Sequence, residues 1–142
     1  MKRFATLASL RDELGDRRTW EVVAAACERA SGVLPEVTFS LGDAVTYRVT
    51  DRPECVHLTG HRRYLEARFV LDGLLSVDVA PVDWLDPVDE YSDLTDRRHF
   101  VGGARRHRVR AGEFVVVDGA EAIRDVSLDG RMVVLRIAAE NA

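Results

Sequence analysis

Lysine is almost missing from this 142-residue chain: Lys2 is the only one, and every other basic side chain is an arginine. We read that as codon bias rather than as a mechanism. Cysteine is scarce too, at two residues. Cys27 falls in a helical pattern and Cys55 in a strand pattern, with no CxxC pair, so a disulfide framework is excluded and two reduced, partly buried thiols are expected. No apolar run approaches the ~20 residues that a membrane-spanning helix needs. Met1-Lys2-Arg3-Phe4 runs quickly into Arg11, Asp12 and Glu13, so no signal-peptide core is expected and the cytoplasm is the expected compartment. Positive charge is not in excess: the formal net charge is -4, which argues against nucleic-acid binding. There is no GxSxG and no phosphate-cradling glycine loop.

What remains is an ordinary globular composition, 46% hydrophobic and 31% charged, in a length that suits one domain with a proper core. Residues 1–32 read as a helical N-terminal segment. Ser9-Leu10-Arg11-Asp12 fits a capping box before a short helix ending near Gly15, and Thr19 is placed to cap a second, from Trp20 to about Ala30. Trp20, Val23, Ala24 and Cys27 share one face of it, which should pack on a sheet. Residues 33–142 read as short strands: 37–41, 44–49, 55–58, 64–71, 74–80, 114–117 and 132–137. Gly42-Asp43, Asp72-Gly73, Asp118-Gly119 and Asp129-Gly130 are the expected turns, and Asp72-Gly73 is a strong hairpin signal. Many short strands between turn residues predict an antiparallel sandwich or barrel. The aspartate-rich stretch 81–100 reads as a long loop pinned by Trp84. The arginines from Arg97 to Arg110 read as a solvated turn rather than a nucleic-acid patch.

Charge in mid-strand carries the functional signal. Arg48, His57, Glu66, Arg68, Asp78 and Arg136 each interrupt or alternate with apolar residues in a strand pattern. Such groups are expensive to bury unless paired or used. One would be unremarkable on a solvated outer face. Five strands doing so together predict a polar cavity lined by pairs such as Glu66 with Arg68 or Arg136. The histidines give only a weak metal signal: His99 and His107 sit among arginines, and His57 and His61 straddle a strand end.

His61-Arg62-Arg63-Tyr64-Leu65-Glu66-Ala67-Arg68-Phe69-Val70-Leu71-Asp72-Gly73 resembles a motif of the YhcH/YjgK/YiaL proteins. This is a cupin-like group that includes the small subunit of an evolved β-galactosidase. The resemblance spans about 33–137 and includes Gly112-Glu113-Phe114-Val115-Val116-Val117, Arg131-Met132-Val133-Val134-Leu135-Arg136-Ile137 and Asp93-Leu94. It implies a mostly-β, antiparallel cupin-like jelly-roll barrel with N-terminal helices packed on one side. It also implies anomerase or isomerase-type action on sugars or sugar acids, often with a divalent metal in the barrel. The departures fall on the implied metal site. Thr59 stands where the family usually has Glu, Ile123 where it has a second His, and Leu75, Gly119 and Met132 replace Glu, Pro and Lys. His61, Tyr64 and the carboxylate of Glu66 survive, while Arg68 puts a permanent cation where the family has a neutral amide. That disfavours a metal by like-charge repulsion and favours an anionic ligand.

The expectation is therefore a metal-independent enzyme with no cofactor. In it, His61, Tyr64 and Glu66 act on a sugar-like or other oxygenated metabolite by isomerase, anomerase or cyclase chemistry. Arg48, His57, Arg68, Asp78, Asp93 and Arg136 would bind the substrate. The alternative is a non-catalytic small-ligand-binding or accessory subunit. A homodimer or a complex with a partner enzyme is expected, with no nucleic acid and no membrane partner.

Overall fold

The computed structural model describes all residues from Met1 to Ala142. After a short strand β1 (Lys2–Phe4) come two helices, α1 (Leu7–Leu14) and α2 (Arg18–Arg29). The cap of α1 is three residues earlier than the sequence suggests. Thr6, not Ser9, is the N-cap: its hydroxyl accepts from Ser9 N–H at 3.0 Å and the Ser9 hydroxyl accepts from Thr6 N–H at 3.1 Å. Ser9 is thus the far side of the box, because its own side chain reaches back instead of forward. Thr6→Ala is expected to lower stability by about 1 kcal/mol; urea unfolding followed by circular dichroism measures it. The second helix begins at Arg18 with no side-chain cap, so Thr19 lies inside it. Its stability comes from its buried face of Trp20, Val23, Ala24, Ala26 and Cys27. Neither helix is long and apolar enough to cross a membrane.

Nine further strands follow: β2 (Phe39–Leu41), β3 (Val45–Thr50), β4 (Leu58–Gly60), β5 (Tyr64–Pro81), β6 (Asp86–Pro87), β7 (Arg98–Val101), β8 (Arg105–Arg110), β9 (Phe114–Val117) and β10 (Glu121–Ala138). All neighbours pair antiparallel. Two layers share the long pair β5 and β10. The first runs β1-β9-β5-β10-β3-β2 through residues 64–70 and 132–138. The second runs β8-β5-β10-β4-β7-β6 through 74–81 and 121–129. The layers face each other across Val70, Val115, Met132 and Val134 from one and Leu75, Val77, Val109 and Ile123 from the other. The outer side of the first layer is covered by the helices, where Trp20, Val23 and Leu10 meet Ala67, Phe69, Phe114, Val116 and Leu135. Trp20 stands edge-on to Phe114, ring centres 6.3 Å apart. The fold is a mostly-β, cupin-like jelly-roll barrel with N-terminal helices on one side.

Two expected turns do not exist. Asp72-Gly73 and Asp129-Gly130 lie inside β5 and β10, facing each other, with Gly73 paired to Gly130. The dipeptides mark the bend by which one strand pair passes from the first layer to the second. Both glycines have positive φ, +80° and +110°. A Cβ on Gly73 would sit 1.6 Å from the Asp129 carbonyl oxygen, and one on Gly130 2.2 Å from that of Asp72. The local signal for a reversal was real, and strand pairing turned it into a kink.

The aspartate-rich stretch is more ordered than a loop. It holds a 3-10 turn (Val82–Trp84), β6, and a bridge between Ser92 and Arg97. Trp84 does not pin it: the residue is 77% exposed. The arginine stretch expected as a turn supplies β7 and β8, since alternation there is hidden by charge on both faces.

Candidate functional site

Alternation puts Tyr64, Glu66, Arg68 and Val70 on the inner side of β5, because Leu65, Ala67, Phe69 and Leu71 pack with the helix-covered core. On the same grounds β3 turns Thr46 and Arg48 inward and β10 turns Val134 and Arg136 inward. The barrel is thus divided. One end is filled by valine, leucine, isoleucine and methionine, and the other by charge.

The charged end is a chain of ion pairs. Arg68 is fully buried and uses all five guanidinium N–H groups. Nε donates to Asp125 Oδ1 at 3.1 Å and Nη2 to Oδ2 at 3.0 Å, Nη1 to Glu66 Oε1 at 2.7 Å and to the Ala67 carbonyl at 2.9 Å, and Nη2 to Cys55 Sγ at 3.6 Å. Glu66, also fully buried, accepts from Arg136 Nε at 3.2 Å on its other oxygen. Asp125 in turn accepts the backbone N–H groups of Glu54 and Cys55, each at 3.0 Å, which ties the β3–β4 loop to β10. Glu54 is held by Arg48 and by Arg136 Nη2 at 3.2 Å, with Arg97 Nη2 at 3.9 Å.

Burial alone would push the Glu66 carboxyl up, but Arg68, Arg136 and His61 outweigh it and hold the group below the usual carboxylate range. Burial would likewise weaken the Arg68 cation, and Asp125 and Glu66 overcome that, raising its pKa. Burial pushes the Cys55 thiol up to about 11, against the pull of Arg68, so it is no nucleophile at neutral pH.

His61 sits at the rim of this network, 5% exposed. Its Nδ1 lies 2.7 Å from the Asp96 carbonyl oxygen, a contact that fixes the proton on Nδ1. Nε2 is then bare. It lies 3.3 Å from Glu66 Oε2 and has no hydrogen-bond partner. Burial lowers the His61 pKa, and Glu66 only partly offsets this, so the ring is neutral near pH 7. Asp96 is what places it. This residue has φ +53° and a carboxylate that accepts from the N–H groups of Arg62 at 2.9 Å, Arg63 at 3.1 Å and Tyr64 at 3.2 Å, and from the Tyr91 hydroxyl. Burial would raise its pKa, but those bonds keep it low.

The interior is not the open wet hollow that the sequence suggests: Glu66 and Arg68 touch no solvent. The open space lies at the mouth. A cleft of ≈260 Å³ is lined by Thr46, His61, Tyr64, Thr95, Asp96 and Arg136 among others. A smaller void of ≈30 Å³ adjoins Thr46, Arg48, Glu54 and Arg136. A second cleft of ≈340 Å³ passes the other side of His61, with Arg62 stacked on Tyr91 at 3.9 Å from the ring centre.

Of the residues singled out from sequence, the structure brings together His61, Tyr64, Glu66, Arg68, Arg136 and Arg48. It separates three. Asp78 points away from the interior and is bound by Arg106 and Arg124 on the outer side of the second layer. His57 is exposed and edge-on to His99, whose ring is bound to Asp89 at 2.6 Å. Asp93 is exposed and offers only its backbone carbonyl, to Arg63. Sequence reasoning missed Asp96, Asp125, Glu54 and Arg97. Asp96 is three residues beyond Asp93, and no local pattern separates the two. Asp125 does follow Ile123 in a period-two pattern, and that signal was available.

The resemblance implies a divalent metal in the barrel, and the residues present do not fit one. Thr59 and Ile123, at the implied ligand positions, are direct neighbours across β4 and β10 and offer no ligand set. No three His, Cys, Asp or Glu side chains converge on a point. The guanidinium of Arg68 stands among Cys55, Glu66 and Asp125, the remaining donors.

No family model matches the chain. Among solved structures, it is similar to protein NMB1881 from Neisseria meningitidis at 12% identity and a TM-score of 0.45, covering 79% of this chain and 96% of that one. It is similar to hydroquinone 1,2-dioxygenase from Sphingomonas sp. TTNP3 at 16% and 0.49, covering 89% and 74%. It is similar to the Drosophila melanogaster CENP-C cupin domain at 11% and 0.42, covering 72% and 70%. These likenesses concern shape only, and the chemistry has to be argued from this chain's own side chains.

Proposed function

We propose that the chain is a small-molecule enzyme working at the mouth of its barrel. It would act on a sugar-like or other oxygenated, anionic metabolite by isomerase, anomerase or cyclase-type acid–base chemistry, without a metal. The resemblance to the YhcH/YjgK/YiaL proteins points to sugars, and the reduced, buried thiols of Cys27 and Cys55 suit a cytoplasmic setting. One observation carries the reading: a neutral histidine, with its proton fixed on Nδ1 and a buried Nε2 that has no hydrogen-bond partner, lies beside a buried carboxylate and lines a cleft together with Tyr64 and Arg136.

The roles follow from the geometry. His61 Nε2 takes the proton of a hydroxyl or of a carbon next to a carbonyl, and returns it. Glu66 is a positioning residue rather than a proton carrier. It lines no cleft and its two arginines keep it ionised. Its charge, 3.3 Å from Nε2, stabilises the imidazolium as it forms. Tyr64 stands ready to hydrogen-bond a substrate oxygen. Arg136, shared between Glu66 and Glu54, faces the cleft and would attract an anionic group. Arg68 does not touch substrate and holds Glu66 in place.

His61→Gln is expected to cut turnover about 100-fold, the lower range for loss of a general base, with little change in melting. Anomeric exchange across a panel of aldoses and uronic acids, measured by saturation-transfer NMR with and without the variant, tests this. Because the His61 pKa is lowered, the acid limb of the wild-type rate profile should fall below the ~6.5 of a free histidine. A limb above that value would rule out His61 as the base. A second reading has its own observation. The interior donors are almost fully satisfied among themselves, which suits a ligand-holding or accessory subunit. A panel member that binds tightly while no exchange is accelerated would favour it.

A further inference from the structure

We infer that Arg48, Arg97 and Arg136 form an oxyanion-binding cradle, with the Glu54 carboxylate as an internal stand-in that a substrate carboxylate or phosphate displaces. This rests on the proposed function for the place of the site and adds which part of the substrate is held, and by what.

The first ground is charge. Within the connected ion-pair network, four guanidinium groups, Arg48, Arg68, Arg97 and Arg136, meet three carboxylates, Glu54, Glu66 and Asp125; Asp43, Arg63 and Asp96, which also line the cleft, lie outside that network. Arg68 is saturated and Arg136 shares itself between two carboxylates, so the excess guanidinium of the network belongs to the outer trio. Three guanidinium groups converge on the single Glu54 carboxylate: Arg48 on Oε2, Arg136 at 3.2 Å and Arg97 at 3.9 Å on Oε1.

The second ground is unmet hydrogen bonding. Arg48 Nε and Arg97 Nε are buried and donate to nothing. Buried guanidinium donors without acceptors are costly, and a tetrahedral or planar oxyanion supplies acceptors in the forked geometry that arginine matches. The third is mechanical. The Glu54 backbone N–H is fixed by Asp125, so its main chain stays put, and rotation of the side chain alone vacates the cradle. The void beside it, ≈30 Å³, is lined by Thr46, Arg48, Glu54 and Arg136. Thr46 and Arg136 also line the ≈260 Å³ cleft that holds His61. An anion seated on the cradle therefore places the rest of a small substrate beside the proposed base.

Isothermal titration with two probes, inorganic phosphate and malonate, tests the cradle and tells phosphate from carboxylate. Glu54→Gln removes the competing charge and should bind the preferred probe about tenfold tighter than wild type. Adding Arg97→Met or Arg48→Met to Glu54→Gln should reverse the gain. Arg131→Met, which loses a surface cation paired with Asp72, should leave affinity unchanged. Glu54→Asp, which keeps the charge on a shorter arm, should fall between, and it serves if Glu54→Gln melts early. Equal affinity in wild type and Glu54→Gln for both probes would overturn the cradle, as would an Arg131→Met loss as large as that of Arg97→Met. His61→Gln should leave probe binding intact. Turnover lost in His61→Gln with no anion effect would refute the cradle alone, and anion binding without turnover would refute the catalytic reading alone.

Discussion

Arg68→Met is expected to cost the fold about 4 kcal/mol, within the range for breaking a buried ion pair from one side. Methionine fills similar space, so the loss is electrostatic rather than a cavity. Without the guanidinium, Glu66 and Asp125 are left sharing a dry interior. Glu66 keeps Arg136 and Asp125 keeps two backbone N–H groups, but the cation that bound both is gone. The pH dependence fixes the sign. A carboxyl held below its ordinary value contributes stability that is present above the unfolded pKa, ~4.3 for Glu, and is lost as pH falls through the folded one. Glu66 behaves this way in the wild type. The variant's deficit should therefore be largest near pH 7 and shrink toward pH 4, where the stranded carboxylates can protonate. His61, also lowered, adds a wild-type loss as pH drops below ~6.5. Urea unfolding of both proteins at pH 7 and pH 4.5 gives the comparison. Glu66→Gln added to Arg68→Met should recover part of the loss, since one buried charge is then removed with its partner. A single variant within 1 kcal/mol of wild type at pH 7 would mean that the network is solvated.

Gly73→Ala is expected to lower stability by about 3 kcal/mol or more, combining left-handed strain with a backbone clash. The new Cβ would lie 1.6 Å from the Asp129 carbonyl oxygen, so β10 has to move away from β5 at the bend. The long strand pair carries both layers, and the damage should spread to both. A drop in melting temperature of about 10 °C is the scale for a chain of this size. Gly103→Ala is the control, as nothing lies within 4 Å of its Cβ position. If the two variants melt together, the bend is not the close approach described.

How far the sequence could be read differs by element. The helix face of Trp20, Val23, Ala24 and Cys27 was legible, because a 3.6-residue period needs only one burying partner. The inward set Glu66, Arg68 and Arg136 was legible for the same kind of reason: period two leaves only two faces, and the apolar one had to meet the helices. The turns were not. An aspartate–glycine pair supports either a reversal or a kink, and pairing with β10, more than 50 residues away, selected the kink. Asp78 looked like Glu66 in sequence and lies on the opposite side, because the bend at Gly73 resets which parity faces inward.

The sequence by itself determined the class of fold, the helix-covered face, and the presence of charge inside the barrel, since these follow from local period and composition. Tertiary structure decided that the inner charges pair with one another rather than line a hollow. It also decided that His61 is oriented by Asp96, and that Glu54 from the β3–β4 loop meets three arginines from elsewhere in the chain. Ion pairing depends on distances of a few ångströms between residues far apart in the chain, and no local pattern encodes those distances.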